Sequence, residues 1–294
     1  MITTEIKTRI IGELQQRRSL FDGSDTKFAV NLGINNAQYS RIKNGETERV
    51  LSDANWISLA RRFGVTLSDM PEWRMAKTPV FDFITAQLEK CQKESVSALL
   101  CDLSDIGKTY TATYYAKTHK NVVYVDCSQV KSKQRLIRYI AKGFGSGYTG
   151  RYADVYEDLS YYLKTLPNPM IILDEAGDLD YAAFLEIKAL WNATEMCCGF
   201  YMMGADGLKE KIRRSIAGKK VGYTELFSRF GKRYGKAVPY AKEECEKMLR
   251  VTALLIIKAN AGDNVNVKSV LAQTLGEDNL PSLRRIYKEL SKVN

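Results

Sequence analysis

The sequence predicts a multidomain protein with a parallel α/β domain at its centre, an all-helical domain before it and a helical subdomain after it. Three observations support this fold class. Four short apolar runs alternate with segments of helical periodicity, at residues 96–100, 121–127, 170–173 and 199–204. Uninterrupted apolar runs of this length are typical of strands buried on both faces of a parallel sheet. Apolar residues near the start of the chain instead recur at helical spacing, at Ile6, Ile10, Ile11 and Leu14.

The same patterns predict the domain boundaries. We expect an all-α domain over residues 1–70, a linker and leading helix over 71–94, the α/β domain over 95–240 and a helical lid over 241–294. Pro71 and Pro79 mark the linker. Within the α/β domain, helices are expected at 132–144, 154–166 and 184–193, and a short further strand at 237–240.

The first apolar run leads into a phosphate-binding motif. Residues 95–117 read SVSALLCDLSDIGKTYTATYYAK, which predicts a strand, a polar turn, Gly-Lys-Thr and a helix. In a P-loop, backbone N–H groups at such a helix start surround a phosphate, the lysine reaches the β- and γ-phosphates, and the hydroxyl coordinates Mg²⁺. We therefore expect an α/β P-loop NTPase domain whose nucleotide contacts come from Asp105, Ile106, Gly107, Lys108, Thr109 and Tyr110.

One position departs from the P-loop template G-x-x-x-x-G-K-[ST]. Asp102 stands where the template has its first glycine, a residue that normally permits the sharp turn out of the strand. A carboxylate near bound phosphates also costs electrostatic energy. Asp102 therefore keeps open the alternative of a degenerate site that binds ATP without hydrolysing it.

A pair of acids ends the third apolar run. Residues 169–178 read PMIILDEAGD, so Asp174 and Glu175 follow a predicted strand. Ligand groups gather at the carboxyl ends of parallel strands. We expect Asp174 to hold Mg²⁺ together with Thr109, and Glu175 to polarise the attacking water. The two motifs in this order predict ATP and Mg²⁺ as cofactors.

Three further positions are expected to act on the nucleotide. Asp206 follows the fourth apolar run, where many NTPases of this strand order have a polar residue that senses the γ-phosphate. Ala205 and Asp206 occupy this place, so the role belongs to Asp206 or is absent. Arg229 is the first candidate, and Arg233 the second, for an arginine supplied across a subunit boundary. Both arginines also fit a solvated basic surface. Arg284, early in the last predicted helix, is placed to reach back to the phosphates.

The charge distribution suggests a polyanionic partner. The chain of 294 residues has a formal net charge of +10, and residues 207–250 alone carry 13 basic and 5 acidic side chains. A local excess of this kind favours a polyanion-facing surface, and nucleic acid is the leading candidate.

Cysteine spacing and hydropathy indicate the cellular compartment in which the protein is expected. None of the six cysteines has C-x-x-C spacing, and one histidine does not complete a zinc site with them. They are therefore expected to be reduced core thiols. No apolar run approaches 18 residues and no signal-peptide pattern precedes the first helix, so we expect a cytoplasmic protein that does not bind membranes.

The N-terminal helices carry a DNA-binding pattern. The string FAVNLGINNAQYSRIKNG resembles the phage-repressor-like helix-turn-helix family, and the resemblance covers residues 5–67. It implies a recognition helix over residues 37–43 that faces DNA through Asn36, Gln38, Tyr39, Arg41 and Lys43. A helical docking domain that has lost its DNA contacts is the alternative. Backbone binding is expected rather than base reading, because one half-site module binds weakly by itself.

Residues 80–294 resemble an AAA+ ATPase with a helical lid. The resemblance rests on Lys108-Thr109, Asp174-Glu175, the strand before Asp206, LFSRF at 226–230 and LRR at 283–285. With the helix-turn-helix in front, the chain is similar to the transposition target-selection ATPases typified by the B protein of bacteriophage Mu. That family implies ATP-dependent assembly on double-stranded DNA, as a homo-oligomer or helical filament, and recruitment of a transposase.

By this resemblance, Lys108 and Thr109 bind phosphates and Mg²⁺, Asp174 and Glu175 support hydrolysis, and Arg229 acts in trans. Basic residues on the inner wall of the assembly would contact DNA phosphates, and our candidates are Lys131, Lys133 and Arg151. The basic stretch at 209–220 is the other candidate surface. Two rival functions stay open: a nucleotide-sensing transcription regulator that reads an operator, and a non-hydrolysing ATP-binding DNA-binding module.

Overall fold

The computed structural model describes residues 2–65, 67 and 73–292. The predicted boundary at residue 70 and Pro71 lie outside these residues. The helices before the sheet are α1 (Thr4–Ser19), α2 (Asp25–Leu32), α3 (Asn36–Lys43), α4 (Asp53–Phe63) and α5 (Pro79–Glu94). The α/β part consists of β1 (Ser97–Cys101), α6 (Lys108–Thr118), β2 (Val122–Asp126), α7 (Lys133–Phe144), α8 (Tyr152–Thr165), β3 (Met170–Asp174), α9 (Tyr181–Ala193), β4 (Gly199–Gly204), α10 (Asp206–Ala217) and α11 (Tyr223–Arg229). The last helices are α12 (Lys242–Asn260), α13 (Val267–Gln273) and α14 (Leu283–Leu290).

The four predicted strands form one parallel sheet in the order β1-β4-β3-β2. The parallel α/β fold class is thereby confirmed. The register pairs Cys101 with Gly204 and Asp126 with Asp174, so all four strands end at the same edge. The polar residues that follow the strands therefore gather there, as the carboxyl edge of a parallel sheet requires.

The predicted strand at residues 237–240 does not form. The chain instead makes a single parallel bridge to β1 earlier, between Leu100 and Gly235. The next backbone donors, Ala237 N and Val238 N, both bind Asp102 Oδ2, at 2.6 and 3.0 Å. A side-chain carboxylate thus takes the hydrogen bonds that a fifth strand would have given to its neighbour.

Helices cover both faces of the sheet. One face packs against α5, α6 and the start of α12, through residues such as Ile84, Leu88 and Tyr115. The other packs against α7 to α11 in the largest hydrophobic cluster of the chain, which includes Ile137 and Leu190. Every residue of β3 and of β4 is buried, because two-sided coverage requires strands that are apolar throughout.

The N-terminal helices have clear local signals for their boundaries. Side chains at Thr3, Ser24 and Ser52 accept a hydrogen bond from the first turn of α1, α2 and α4. Asn35 caps α3 and forms a reciprocal capping box with Gln38. Ser24 is the cap of α2, because its extended backbone directs the hydroxyl to Lys27 N.

The four N-terminal helices have their own core and also contact the α/β part. Trp56 and Leu59 are fully buried in that core. Phe21 packs against Gly145, where an added Cβ would lie 2.7 Å from the ring. Asp22 accepts a hydrogen bond from Asn121 Nδ2 at 2.7 Å. These contacts join the helical part to the end of α7 and the start of β2.

The C-terminal helices form a small separate core around Ile257 and Ile286. Asn260 ties α12 to the segment before α5, because it bonds both the N–H and the carbonyl of Arg74, at 2.7 and 3.0 Å. Within the described residues, no helix is both long and apolar enough to cross a membrane.

Candidate functional site

The P-loop is the connection between β1 and α6. Gly107 precedes the first turn of α6 with φ at +95°, and no side chain caps that turn. The first N–H groups of the helix therefore point into the loop without an internal acceptor, as an anion site requires. A Cβ at Gly107 would be strained at this φ and would lie 3.9 Å from Leu283 Cδ1.

Lys108 lies inside this loop. Its side chain is buried, and Nζ donates to the carbonyl oxygens of Asp102 at 3.1 Å and Leu103 at 2.5 Å. Burial lowers the pKa of the amine below its ordinary value, and the nearby carboxylates of Asp102 and Asp174 oppose that shift. The ammonium group has only neutral carbonyl groups as direct partners, so a phosphate would be a stronger one.

The two sequence motifs meet at a hydrogen bond. Thr109 Oγ1 donates to Asp174 Oδ2 at 2.6 Å, across 65 residues of sequence. Asp174 is 1% exposed, the same oxygen accepts from Tyr124 OH at 2.9 Å, and Oδ1 accepts from Glu175 N at 2.9 Å. A hydroxyl beside a carboxylate is a pair of hard oxygen ligands, which suits Mg²⁺ that takes its other ligands from water and phosphate.

The donor set limits what metal the site would hold. Within residues 2–65, 67 and 73–292, no cluster of three or more His, Cys, Asp or Glu residues is arranged to bind an ion. One hydroxyl and one carboxylate do not make a closed metal cage. The pair at Thr109 and Asp174 therefore fits an ion that arrives with a nucleotide.

Glu175 stands at the edge of the site. It follows the last residue of β3 in a left-handed conformation, with φ at 48° and ψ at 40°, and its side chain is exposed. Partial enclosure and the charge of Asp174 raise the pKa of this carboxyl, while Lys108 opposes the shift. A carboxylate with a raised pKa is a better proton acceptor, as activation of water demands.

Asp102 has a structural role that the sequence did not predict. Its carboxylate is fully buried and accepts from three backbone donors, Leu103 N at 2.8 Å as well as Ala237 N and Val238 N. Hydrogen bonds of this kind compensate a buried carboxylate. Asp102 thus ties the start of the P-loop to the chain after α11.

The start of α14 touches the P-loop directly. Asp105 Oδ2 accepts from Ser282 Oγ at 2.7 Å, and Arg284 Nε lies 3.8 Å from Asp105 Oδ1. Arg284 is otherwise largely exposed. Asp206 begins α10 immediately after β4, where its exposed side chain follows the strand that adjoins β1.

An apolar cavity of about 420 Å³ adjoins the P-loop. It lies between the segment before α5, the start of α6 and the C-terminal helices α12 and α14. Its wall includes the predicted nucleotide contacts Asp105, Ile106, Gly107 and Tyr110, the arginine Arg284, and the aromatic residues Trp73, Phe81 and Tyr287. The Trp73 and Tyr287 rings lie 5.3 Å apart. A cavity with aromatic walls beside a phosphate loop suits a planar base.

The two candidate trans-acting arginines differ in their surroundings. Arg229 Nε donates to Asn192 Oδ1 at 2.6 Å, and its guanidinium lies 5.3 Å from the Trp191 ring centroid. Arg233 is exposed, and its side chain has no ion pair among the described residues. The structure therefore holds Arg229 against α9 and leaves Arg233 the more accessible of the two.

The predicted DNA contacts on α3 are mostly engaged within the chain. Tyr39 is 1% exposed and packs edge-on against Phe28, so the prediction that it faces DNA is wrong. Its position on the helix turns it toward the core with Ile42. Gln38 is used in the capping box. The two cations pair with acids, Arg41 with Glu46 at 2.8 Å and Lys43 with Asp25 at 3.0 Å.

The three candidates for the inner wall also have acidic neighbours. Lys131 lies 3.4 Å from Asp178, Lys133 lies 4.0 Å from Glu186, and Arg151 binds both carboxylate oxygens of Asp154 at 3.0 Å. All three side chains keep substantial exposure.

The sequence did not predict several residues of the site. Tyr124, Trp73, Tyr287 and Ser282 join it through contacts with residues far away in the chain. The alternating pattern of β2 places Tyr124 on the α6 side of the sheet, which was the one available signal. The others have no local signal, because the docking of α14 brings them to the P-loop.

Comparisons with known proteins agree with this geometry. Residues 93–212 match the family model described as AAA domain. No curated protein matches the chain. The matched residues run from the end of α5 into α10 and contain Lys108, Thr109, Asp174, Glu175 and Asp206. The match and the arrangement of these residues together support an AAA-type P-loop ATPase in this part of the chain.

Proposed function

We propose that the protein binds ATP with Mg²⁺ at the carboxyl edge of its sheet and hydrolyses it. The hydrogen bond between Thr109 and Asp174 carries this proposal, because it joins a phosphate-binding helix start to a buried carboxylate. A bound Mg²⁺ would neutralise charge on the β- and γ-phosphates. Thr109 and Asp174 would hold that ion, and Tyr124 would keep the carboxylate oriented.

Two other residues supply the remaining chemistry. Lys108 moves from the carbonyls of Asp102 and Leu103 to the phosphates, and the N–H groups of α6 bind the same anion. Glu175 accepts a hydrogen bond from the attacking water and takes its proton as the water oxygen bonds to the γ-phosphorus. The bond from that phosphorus to the β–γ bridging oxygen breaks, and ADP leaves. Its raised pKa suits it to this role.

Single substitutions separate binding from hydrolysis. We expect Lys108→Ala to abolish ATP binding, and Glu175→Gln to keep binding while lowering turnover by about 10²- to 10⁴-fold. Isothermal titration with ATP and phosphate-release assays measure the two effects. Lys164→Ala, at an exposed lysine near the end of α8, is the matched control and should leave both unchanged. Normal turnover by Glu175→Gln would remove Glu175 from the mechanism, and stable binding without phosphate release by the wild type would favour the non-hydrolysing module.

We further propose that the ATPase assembles on double-stranded DNA without sequence preference and recruits a transposase. The support is the order of the motifs, the repressor-like string in the N-terminal helices and the local positive charge of residues 207–250. ATP would bridge neighbouring copies through an arginine supplied in trans. Arg233 becomes a strong candidate beside Arg229, since it is exposed and free of acidic partners among the described residues.

Sedimentation with a random-sequence linear duplex tests the DNA proposal. Large DNA-bound species should form with ATP or a non-hydrolysable analogue, and not with ADP or without nucleotide. Lys108→Ala should lose this response, and Glu175→Gln should retain the assembled form for longer. Binding that is independent of nucleotide, or limited to one sequence, would contradict the proposal and favour a transcription regulator.

The arginine in trans is identified by comparing Arg229→Ala with Arg233→Ala. The residue that acts in trans should lower turnover by about 10³-fold or more when removed, while ATP still binds each protomer. The other substitution should change turnover little. Equal, small effects of both would exclude an arginine finger at either position.

A further inference from the structure

A second cavity lies between the N-terminal helices and the α/β part, and its lining contains none of residues 102–109. Its volume is about 540 Å³, and it is bounded by the end of α4, the second half of α6, the edge strand β2 and the end of α7. The nucleotide site is at the other end of α6. Lys117 follows Lys108 by nine residues, which separates the two along the helix axis by about 13 Å.

Five cations line this cavity and no acid does. We call it the cationic cleft and define it by Arg17, Arg61, Arg62, Lys117 and Lys142. These residues come from four helices, so the domain packing brings the charges together rather than one basic stretch of sequence. Like charges gathered in a partly closed cleft raise the local positive potential and attract anions.

The cations of the cleft lack acidic partners. No ion pair to any of the five occurs in the described part of the chain, whereas Lys131, Lys133 and Arg151 all have one. Arg62 donates to the carbonyl oxygen of Asn31. The Arg17 guanidinium lies 5.3 Å from the Phe63 ring centroid, and its Nε has no hydrogen-bond acceptor. Neutral groups thus hold Arg62 and Arg17, and neither forms an ion pair among the described residues.

Burial lowers the pKa of three of these cations, and neighbouring positive charges add to the shift in two of them. Burial and the charge of Arg17 lower the pKa of Arg62 to about 10. Burial, Arg62 and Arg61 together lower the pKa of Lys142. Burial also lowers the pKa of Arg17, although Glu13 and Tyr139 oppose that shift. An anion in the cleft would relieve the desolvation and the repulsion together.

Polar and aromatic groups complete the lining. Ser58 and Thr113 provide hydroxyl groups, and Tyr139 stands at the rim with 43% of its surface exposed. Lys117 Nζ lies close to the C-terminal end of α4, 3.7 Å from where a Cβ on Gly64 would be. A set of Arg, Lys and hydroxyl donors is the chemistry that binds phosphate oxygens.

We propose that the cationic cleft binds consecutive phosphate groups, as a phosphate-binding site distinct from the ATP site. Such phosphates occur in the backbone of a nucleic acid and in a free polyphosphate, and the five cations would contact either. The inference goes beyond the proposed ATPase, and only the nucleic-acid source depends on the proposed binding to DNA.

The test uses two charge-matched double variants of the full chain. The cleft variant is Arg61→Glu with Lys142→Glu, and the control is Lys247→Glu with Lys268→Glu, two exposed lysines on α12 and α13. Both change the net charge equally. A fluorescent random-sequence duplex is titrated by anisotropy, and inorganic tripolyphosphate by calorimetry. A saturating non-hydrolysable ATP analogue with Mg²⁺ keeps the P-loop occupied, and its own affinity checks that each variant is folded.

The proposal expects the cleft variant to lose about tenfold or more in affinity for at least one of the two ligands, with the control close to wild type. If the duplex is that ligand, the slope of log affinity against log salt concentration should also become shallower. The change should correspond to the loss of about one or two phosphate contacts. If wild type binds only tripolyphosphate, the DNA part of the proposed function fails while the cleft is supported. Indistinguishable behaviour of the cleft variant and the control for both ligands would overturn the inference.

Discussion

At the scale of single residues, hydrogen bonds between distant side chains define the candidate site. Asp174 accepts from Thr109, Tyr124 and the backbone of Glu175, so its carboxylate is held in one orientation. Asp102 is equally constrained by three backbone donors. Both are buried carboxylates at the carboxyl edge of the sheet, yet Asp174 faces the proposed nucleotide site, whereas Asp102 holds the loop around it.

The anchoring role of Asp102 can be measured as stability. We expect Asp102→Ala to lower the free energy of unfolding by about 3 kcal/mol, because Ala237 N and Val238 N lose a buried acceptor. Asp102→Asn keeps one oxygen in place and should lose less. Urea denaturation followed by tryptophan fluorescence measures both. Wild-type stability of Asp102→Ala would show that these donors find water instead, and would contradict the anchoring role.

The pH dependence of turnover tests the role of Glu175. A general base works only when deprotonated, so the ATPase rate should fall as pH decreases through the pKa of Glu175. Because that pKa is raised by enclosure and by Asp174, the fall should begin at a higher pH than for an ordinary carboxyl. The residual activity of Glu175→Gln should not fall in this way as pH decreases. If the rate of the variant fell at the same pH as that of the wild type, the titrating group would be a residue other than Glu175.

At the scale of secondary-structure elements, the apolar cavity beside the P-loop depends on the docking of α14 against that loop. Ser282 and Leu283 contact Asp105 and Gly107, and Tyr287 completes the aromatic wall with Trp73. The P-loop before α6 and the start of α14, which closes the apolar cavity, are therefore in direct contact. Nucleotide binding should depend on both.

Removal of one aromatic wall should weaken binding of the base alone. We expect Tyr287→Ala to reduce ATP affinity by about fivefold, since an aromatic stacking contact contributes on the order of 1 kcal/mol. Affinity for tripolyphosphate at the P-loop should not change, because that ligand has no base. Calorimetric titration of the two ligands separates the effects. Equal losses for both would mean that the substitution disturbs the P-loop itself.

Some secondary-structure elements follow from local sequence patterns and others do not. Periodicity and end signals predicted the four strands and their parallel arrangement, because both depend on neighbours within a few residues. The segment at 237–240 had strand-like composition, yet Asp102 captures its donors from 135 residues away. Tyr39 has the position of a DNA contact in the repressor-like string, yet it is buried against Phe28. In both cases a tertiary contact overrides the local pattern.

At the scale of the whole molecule, packing decides which reactive and charged groups meet solvent. Cys91, Cys101, Cys127 and Cys198 are buried, whereas Cys197 and Cys245 are partly exposed. Burial raises the pKa of Cys91 and of Cys101 to about 12. The same packing gathers the five cations of the cationic cleft from separate helices.

Thiol reactivity tests this distribution. In the native protein, only Cys197 and Cys245 should react quickly with a thiol reagent at neutral pH, because the others are neither accessible nor ionised. All six should react in denaturant. Timed labelling followed by peptide mass spectrometry assigns each site. Rapid native labelling of Cys101 or Cys198 would contradict the packing of β1, which carries Cys101, or of β4, which begins directly after Cys198.

The sequence by itself determined the parallel α/β class, the helical segments on either side of it and the residues of the two nucleotide motifs. These follow from patterns whose physical cause is local: apolar periodicity, helix caps and a glycine at a left-handed turn. Only the tertiary structure decided the partners of Asp102, the contact of α14 with the P-loop and the cations that share the cleft. Such pairings join residues far apart in the chain, and the packing of complete elements selects them.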